Sequence, residues 1–243
     1  MVRRYGLVGK GISYSLSPEI WQNIWRREGI DDCSFDIIDT DNPVPFIEQL
    51  RWDPSWWGLM VTTPYKERVL PLLDTLSPEA REVGAVNMIA KVKSHLVGYN
   101  TDIAGFLKPL AQYSIEGKAL ILGSGGASKA VSHALKSIGL NVDTVSRTPE
   151  KGEIGYREVT PDLLDTVCLI VNATPLGGPL FPNEYPEIPY EALGNKHILY
   201  DLSYAPPLRF LALAPETCRK ISGKEMLLSQ AEEANRIFQA HCK

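Results

Sequence analysis

Apolar and polar positions over the first hundred residues alternate between short β-prone runs and helical stripes. "YGLVG", "SFDIID" and "WGLMVTT" read as strands, with helix-forming segments between them. In "SPEIWQNIWRREG" the apolar residues Ile20, Trp21, Ile24 and Trp25 fall on one helical face, while Ser17 suits the cap and Pro18 the first turn. From Lys118 the rhythm becomes more regular: strand "KALILG", helix "SKAVSHALKSIG", then strands "NVDTVS", "CLIVNAT" and "ILYDLS". Such alternation predicts a parallel, doubly wound sheet, so the fold class is α/β and the chain divides near residue 100. The proline-rich "GGPLFPNEYPEIPYEALG" reads as an irregular loop, and "GKEMLLSQAEEANRIFQAHCK" as a helix starting just after Gly223.

Composition narrows the function classes. The chain has 243 residues, 44% hydrophobic and 22% charged, with a formal net charge of -4, the profile of an ordinary globular protein. Lysine and arginine are scattered and the balance is mildly acidic, so nucleic acid is not expected as a partner. The start "MVRRYGLVGKGI" carries no apolar h-region, and no apolar run approaches the roughly 18 residues of a membrane span, so no membrane association and a cytoplasmic location are expected. Cys33, Cys168, Cys218 and Cys242 lack CxxC spacing and read as reduced packing thiols, with no metal site expected. The four histidines share no spacing that suggests a triad, and Trp52, Trp56 and Trp57 beside Pro54 are expected to pack a surface loop or a subunit contact.

Candidate chemistry begins at "LILGSGGASKAV". A strand ending at Gly123, a turn through Ser124, Gly125 and Gly126, and a helix beginning near Ala127 would let backbone N–H groups approach a pyrophosphate. The next strand ends in Ser146, Arg147 and Thr148 rather than in the acid that an NAD site presents to the ribose. A guanidinium fork suits a 2′-phosphate, which favours NADP; Asp143, mid-strand, is the competing acid, and a solvated surface charge is the bland reading of Arg147.

Motifs outside the glycine loop complete a pattern. "SYSLSP", "VTTPYKE", "GAVN", "GYNTD", "LGSGGASKAV", "SRT", "VNATPLG", "YDLSY" and "GKEMLLSQA" occur in an order that resembles the shikimate dehydrogenase family over essentially the whole chain. The resemblance implies an N-terminal α/β substrate-binding domain, residues 1–101, completed by the returning C-terminal helix 224–243, and a Rossmann NADP-binding domain, residues 102–223. It implies NADP-dependent interconversion of 3-dehydroshikimate and shikimate in aromatic amino-acid biosynthesis. Ser15 and Ser17 match hydroxyls at the substrate carboxylate; Thr62, Asn87, Asp102 and Gln230 match positions around the ring hydroxyls, and Tyr204 a tyrosine at the substrate. Lys66 matches the catalytic lysine with Asp102 as its partner, Arg147 and Thr148 the adenosine-phosphate clamp, and Met226 a position at the cofactor.

These residue types suit the reaction. Reducing a ketone requires a hydride from the nicotinamide and a proton for the developing alkoxide, and a lysine ammonium can stabilise that oxygen and supply the proton. A lysine side chain is mostly charged at neutral pH, so a Lys66–Asp102 pair titrating as a unit serves both directions better than a lone lysine. With Pro64 ending the strand, Thr62 and Lys66 would face one substrate from the turn and the first helical residues. Against this stand surface roles: Lys66 as a solvated charge, Ser17 as a helix cap, Asn87 and Asp102 as turn residues, and Gln230 as a solvated helix residue. The sequence also departs from the family pattern. Met60 stands where asparagine is usual, which would remove a polar group near the substrate; Met88 stands where threonine is frequent, and Ile103 follows "NTD" in place of glycine. A quinate/shikimate dehydrogenase or a paralogue with NAD use is thus an alternative, as is a non-catalytic dinucleotide-binding sensor. A small-molecule substrate is the expected partner, and the chain is expected to act as a monomer or homodimer.

Overall fold

The computed structural model of the protein describes residues 2–150 and 152–241. The chain divides into two compact units, residues 1–101 together with 230–243, and residues 102–229.

The first unit contains β1 (Arg3–Gly9), α1 (Ser17–Arg27), β2 (Cys33–Asp39), α2 (Val44–Trp52), β3 (Trp56–Val61), β4 (Thr75–Leu76), α3 (Pro78–Val83), β5 (Met88–Val92) and β6 (His95–Tyr99). They form one sheet in the order β2-β1-β3-β5-β6-β4. Strand β1 is parallel to both neighbours, β5 is antiparallel to β3, and β6 is antiparallel to β5. The chain leaves β1 toward β2 and returns on the other side to β3, so strand order reverses between them and a crevice opens outside their carboxyl ends.

The period-2 alternation of the strands feeds two cores. Tyr5, Leu7, Met60 and Met88 face one side with Trp21, Ile24 and Trp25 of α1 and Ala231, Ala234 and Phe238. Val8, Leu59, Val61 and Ile89 face the other with Ile47 and Leu50 of α2. Aromatic rings hold the first core: Tyr5 and Phe238 lie 4.8 Å apart, and Trp21 stacks on Phe35 at 5.2 Å. Gly58 is required there, since a Cβ on it would fall 2.1 Å from Cε1 of Phe238.

Two local expectations are corrected here. Ser17 is the first residue of α1 rather than its cap; Leu16 occupies the cap position without a side-chain bond, and the Ser17 N–H donates to Oγ of Ser15 at 3.2 Å. The tryptophans do not form one surface group. Trp56 is 4% exposed and packs in the core with the Arg4 guanidinium 4.4 Å over its ring, Trp57 is half-buried near Arg3, and Trp52 alone of the three is exposed. An indole at the start of an inward-facing strand loses more by exposure than the short loop before it could offset.

The second unit contains α4 (Asp102–Leu110), β7 (Lys118–Leu122), α5 (Gly126–Ser137), β8 (Asn141–Ser146), β9 (Glu153–Gly155), α6 (Pro161–Asp165), β10 (Val167–Asn172), β11 (Ile198–Asp201), α7 (Arg209–Leu213) and β12 (Arg219–Ser222). The last helix, α8 (Lys224–His241), belongs to this unit as far as Ser229 and to the first from Gln230 onward. The sheet runs β12-β11-β10-β7-β8-β9 with every pair parallel, and reverses between β7 and β10. Buried on both faces, the central strands read as near-continuous apolar runs: Ala119, Ile121, Leu169 and Val171 enter one core, Leu120, Leu122 and Ile170 the other. Cys33, Cys168 and Cys218 are free thiols, and burial raises the latter two above the ordinary thiol range; Cys242 lies outside the described residues.

Candidate active site

In the first unit, separate segments bring polar side chains to the carboxyl edge of the sheet at its reversal point. The loop after β1 hangs from Asp39 at the end of β2, whose carboxylate accepts the N–H groups of Gly11 at 2.7 Å and Ile12 at 2.9 Å. That loop delivers Ser15 and leads into Ser17 at the start of α1; their hydroxyls lie 3.0 Å apart with Ser15 Oγ donating, and Ser17 is buried.

The loop after β3 carries Thr62 and Lys66. Thr62 donates its N–H to the Val8 carbonyl at 3.0 Å and rests on Gly9, where a Cβ would meet its methyl at 2.5 Å. The Thr63–Pro64 peptide is cis. The expectation that Lys66 opens a helix after Pro64 is corrected: residues 66–69 form turns, with a short 3-10 helix only at Leu70–Leu72. Long-range bonds decide the local shape. Tyr65 is buried with its hydroxyl donating to the Thr40 carbonyl at 2.6 Å, and the Lys66 carbonyl accepts the Val86 N–H at 2.8 Å. The Lys66 backbone is thus fixed on both sides while its side chain stays half-buried.

Asn87, at the entrance to β5, is 3% exposed and far from a simple turn residue. Its Oδ1 accepts the Thr101 N–H at 2.7 Å, and its Nδ2 donates to Thr101 Oγ1 at 3.0 Å and to Gln230 Oε1 at 3.4 Å. Gln230 is 9% exposed, buried rather than solvated. Asp102, also buried, opens α4 in the second unit.

Met60 does not present its side chain to this edge. It is 4% exposed, belongs to the Tyr5–Trp21 core, and stands directly opposite Met88 in the β3–β5 register. Two of the three departures from the family pattern, Met60 and Met88, are therefore cross-strand partners inside an apolar core, which corrects the expectation of a polar group lost beside the substrate.

In the second unit, β7 ends at Leu122 and Gly123 takes φ +108°, a backbone that L side chains rarely adopt. Helix α5 starts at Gly126, one residue before the expected Ala127, with Gly125 at its cap and no side-chain hydrogen bond there. Its first N–H groups are left for another acceptor, and no heavy atom stands within 4 Å of where a Cβ on Gly125 would sit. Ser124 and Ser146 hydroxyls pair at 3.2 Å, and Ser146 Oγ accepts the Thr148 N–H at 3.3 Å, tying the glycine loop to the end of β8. Arg147 and Thr148 are exposed there. Asp143, the competing acid, sits within β8 and pairs with Lys118 at 2.5 Å. Met226 packs in the core with Phe106 and Tyr200, and Tyr204 is half-buried just past β11.

Sequence reasoning missed four residues that organise these edges. Thr101 joins Asn87 and Gln230, and Asp39 holds the loop after β1. Asn172 and Asp201, register partners at the ends of β10 and β11, are fully buried and bonded at 3.2 Å. Burial holds the Asp201 carboxyl up, at about 7. All stand inside stretches already quoted, "SFDIID", "GYNTD", "VNATPLG" and "YDLSY"; for Asp39, Asn172 and Asp201 a polar residue terminating an apolar strand was the available signal.

The model for the shikimate dehydrogenase substrate binding domain matches residues 7–89. A shikimate dehydrogenase (NADP(+)) of Clostridium botulinum strain 657 is 38% identical over 94% of this chain and 93% of its own. Among solved structures, shikimate dehydrogenase from Aquifex aeolicus is 32% identical with a TM-score of 0.86, covering 98% of this chain and 93% of that one. Shikimate 5-dehydrogenase from Thermus thermophilus, in complex with NADP(H) and shikimate, is 30% identical with a TM-score of 0.84, covering 98% and 94%. The chain belongs to the shikimate dehydrogenase family.

Proposed function

We propose that the protein catalyses the reversible, NADP-dependent reduction of 3-dehydroshikimate to shikimate in aromatic amino-acid biosynthesis, acting in the cytoplasm as a monomer or homodimer. One observation carries this reading: hydroxyl, amide and ammonium groups from separate segments, Ser15, Ser17, Thr62, Lys66 and Asn87, gather at one sheet edge with Gln230 bonded to Asn87. Such a set suits a small polyhydroxylated carboxylate. Ser15 and Ser17 donate to the carboxylate; Thr62, Asn87, Gln230 and Tyr204 hold the ring hydroxyls.

The residues of the second unit fit NADP. Gly123, Ser124, Gly125, Gly126 and Ala127 leave an uncapped helix N-terminus that would take the pyrophosphate, and Ser146, Arg147 and Thr148 at the end of β8 would supply a cation and donors to a 2′-phosphate, with Met226 in the core of the same unit. When bound, the cofactor supplies the hydride. Lys66 places its ammonium at the carbonyl oxygen, stabilises the developing alkoxide and gives it a proton, with Asp102 as the carboxylate that shares that proton. In the reverse direction Lys66 as the free amine, with Asp102 as carboxylate, accepts the hydroxyl proton.

The reaction itself provides the test. Incubation with shikimate and NADP⁺ should yield 3-dehydroshikimate and reduced cofactor in equal amounts by chromatography and absorbance. Absence of the ketone product would overturn the reading.

A further inference from the structure

The second unit holds a buried carboxyl that the proposed chemistry does not use. Asp201 is fully buried at the carboxyl end of β11, and its Oδ2 has no hydrogen-bond partner among the described residues. Its Oδ1 accepts the Asn172 Nδ2 at 3.2 Å and the Ser203 N–H at 3.0 Å. A buried carboxyl that is only half satisfied costs stability, so this position is expensive to keep as Asp for packing alone.

What the carboxyl grips are two loops at the carboxyl edge of the sheet. On one side Asn172 passes the connection onward: its Oδ1 accepts Thr174 N–H at 3.1 Å and Thr174 Oγ1 at 2.6 Å, and its Nδ2 also donates to the Leu176 carbonyl at 3.2 Å. Thr174 Oγ1 in turn accepts the Leu176 N–H at 3.2 Å. The chain lies against the cofactor loop here, for a Cβ on Gly123 would meet Thr174 Cγ2 at 3.0 Å. On the other side Ser203 is held at three points. Its N–H goes to Asp201, its carbonyl accepts the Gly223 N–H at 3.0 Å, and its Oγ stands 2.9 Å from where a Cβ on Gly178 would be. Tyr204 follows directly.

We propose that Asp201 is a positioning residue: through Asn172 it sets the Thr174–Leu176 turn beside the glycine loop, and through Ser203 it sets the approach of Tyr204. This rests on the proposed function for the roles of Tyr204 and the glycine loop. Asp201 itself touches neither substrate nor cofactor; it fixes the backbone that does.

The test compares Asp201→Ala, Asp201→Asn and Thr174→Val in the full chain, each verified as folded by circular dichroism. Asparagine keeps an acceptor for Asn172 and Ser203, whereas alanine releases both loops. Asp201→Ala should raise the KM for shikimate and weaken NADP⁺ binding by about tenfold or more, the scale on which small misplacements act. Asp201→Asn should recover most of that loss. Thr174→Val, which removes only the hydroxyl at the far end of the network, should raise KM in the same direction, and its effect should shrink in the Asp201→Ala background. Should Asp201→Ala fail to fold, the comparison of Thr174→Val alone and combined with Asp201→Asn decides the matter. Parent-like KM and NADP⁺ affinity in Asp201→Ala, or in Thr174→Val, would overturn the proposal. A parent that binds NADP⁺ but does not oxidise shikimate would instead refute the proposed reaction, and the positioning role would then be judged on NADP⁺ affinity in the same variants.

Discussion

Lys66 shows how a loop residue gains a fixed position without a helix beneath it. Its neighbour Tyr65 is anchored through the ring hydroxyl to the Thr40 carbonyl, and its own carbonyl accepts the Val86 N–H, so the backbone at Lys66 is held on both sides. Replacing Lys66 by alanine removes only the charged chain. The expected outcome is a fall in kcat of about 10²–10⁴-fold with a much smaller change in KM, read from steady-state kinetics; an unchanged kcat would return Lys66 to the surface charges. Asp201 makes a pH prediction of its own. Burial raises its carboxyl from the ordinary 3.8 to about 7, so the folded state prefers the protonated form. Stability from this group is whole below pH 3.8, declines as pH rises, and is lost above about 7. The full span is on the order of 4 kcal/mol. Asp201→Asn abolishes the slope: relative to the parent it should gain stability between acidic and mildly alkaline pH in urea unfolding. A stability difference independent of pH would contradict the assignment.

At the scale of elements, the strongly patterned strands and helices were legible from sequence, because the apolar runs at the reversal points and the Ile20–Trp25 stripe leave few alternatives. Elements of two or three residues, β4 and β9, carry no period to read. The 66–69 turns read as a helical start because Pro64 ahead of a polar run fits one; the bonds that prevent it come from residues 40 and 86, which local sequence does not reveal. For the same reason Met60 reads as a residue near the ligand until its register opposite Met88 places it in the core. Met60→Asn therefore buries an amide among Tyr5, Trp21 and Met88, and should cost about 1–3 kcal/mol in urea unfolding without raising shikimate turnover. Better turnover at unchanged stability would put Met60 beside the substrate after all. Gly58→Ala tests how the end of α8 seats on the first sheet. The added methyl falls within the Phe238 ring, itself packed against Tyr5 and Trp21, and overpacking of this kind should cost about 1–3 kcal/mol; a neutral result would show the ring free to move.

At the scale of the molecule, each unit is an α/β sheet whose strand order reverses once, and each gathers its polar residues at the carboxyl edge of that reversal. The motifs were readable in order along the chain, whereas the bonds joining Asn87 to Gln230 span 143 residues and emerge only once the chain is folded. In the described residues no helix is long and apolar enough to cross a membrane. Under the proposed function the labour divides by residue type: hydroxyls, amides and Lys66 at the first edge, an uncapped helix and Arg147 at the second. The most direct test of that division is the ratio kcat/KM for shikimate and quinate, each with NADP⁺ and with NAD⁺, measured in one buffer. Shikimate with NADP⁺ should be the best pair, with NADP⁺ preferred over NAD⁺ by about tenfold or more, the worth of one good charge-assisted phosphate contact. No oxidation of shikimate, or equal efficiency with NAD⁺, would contradict it.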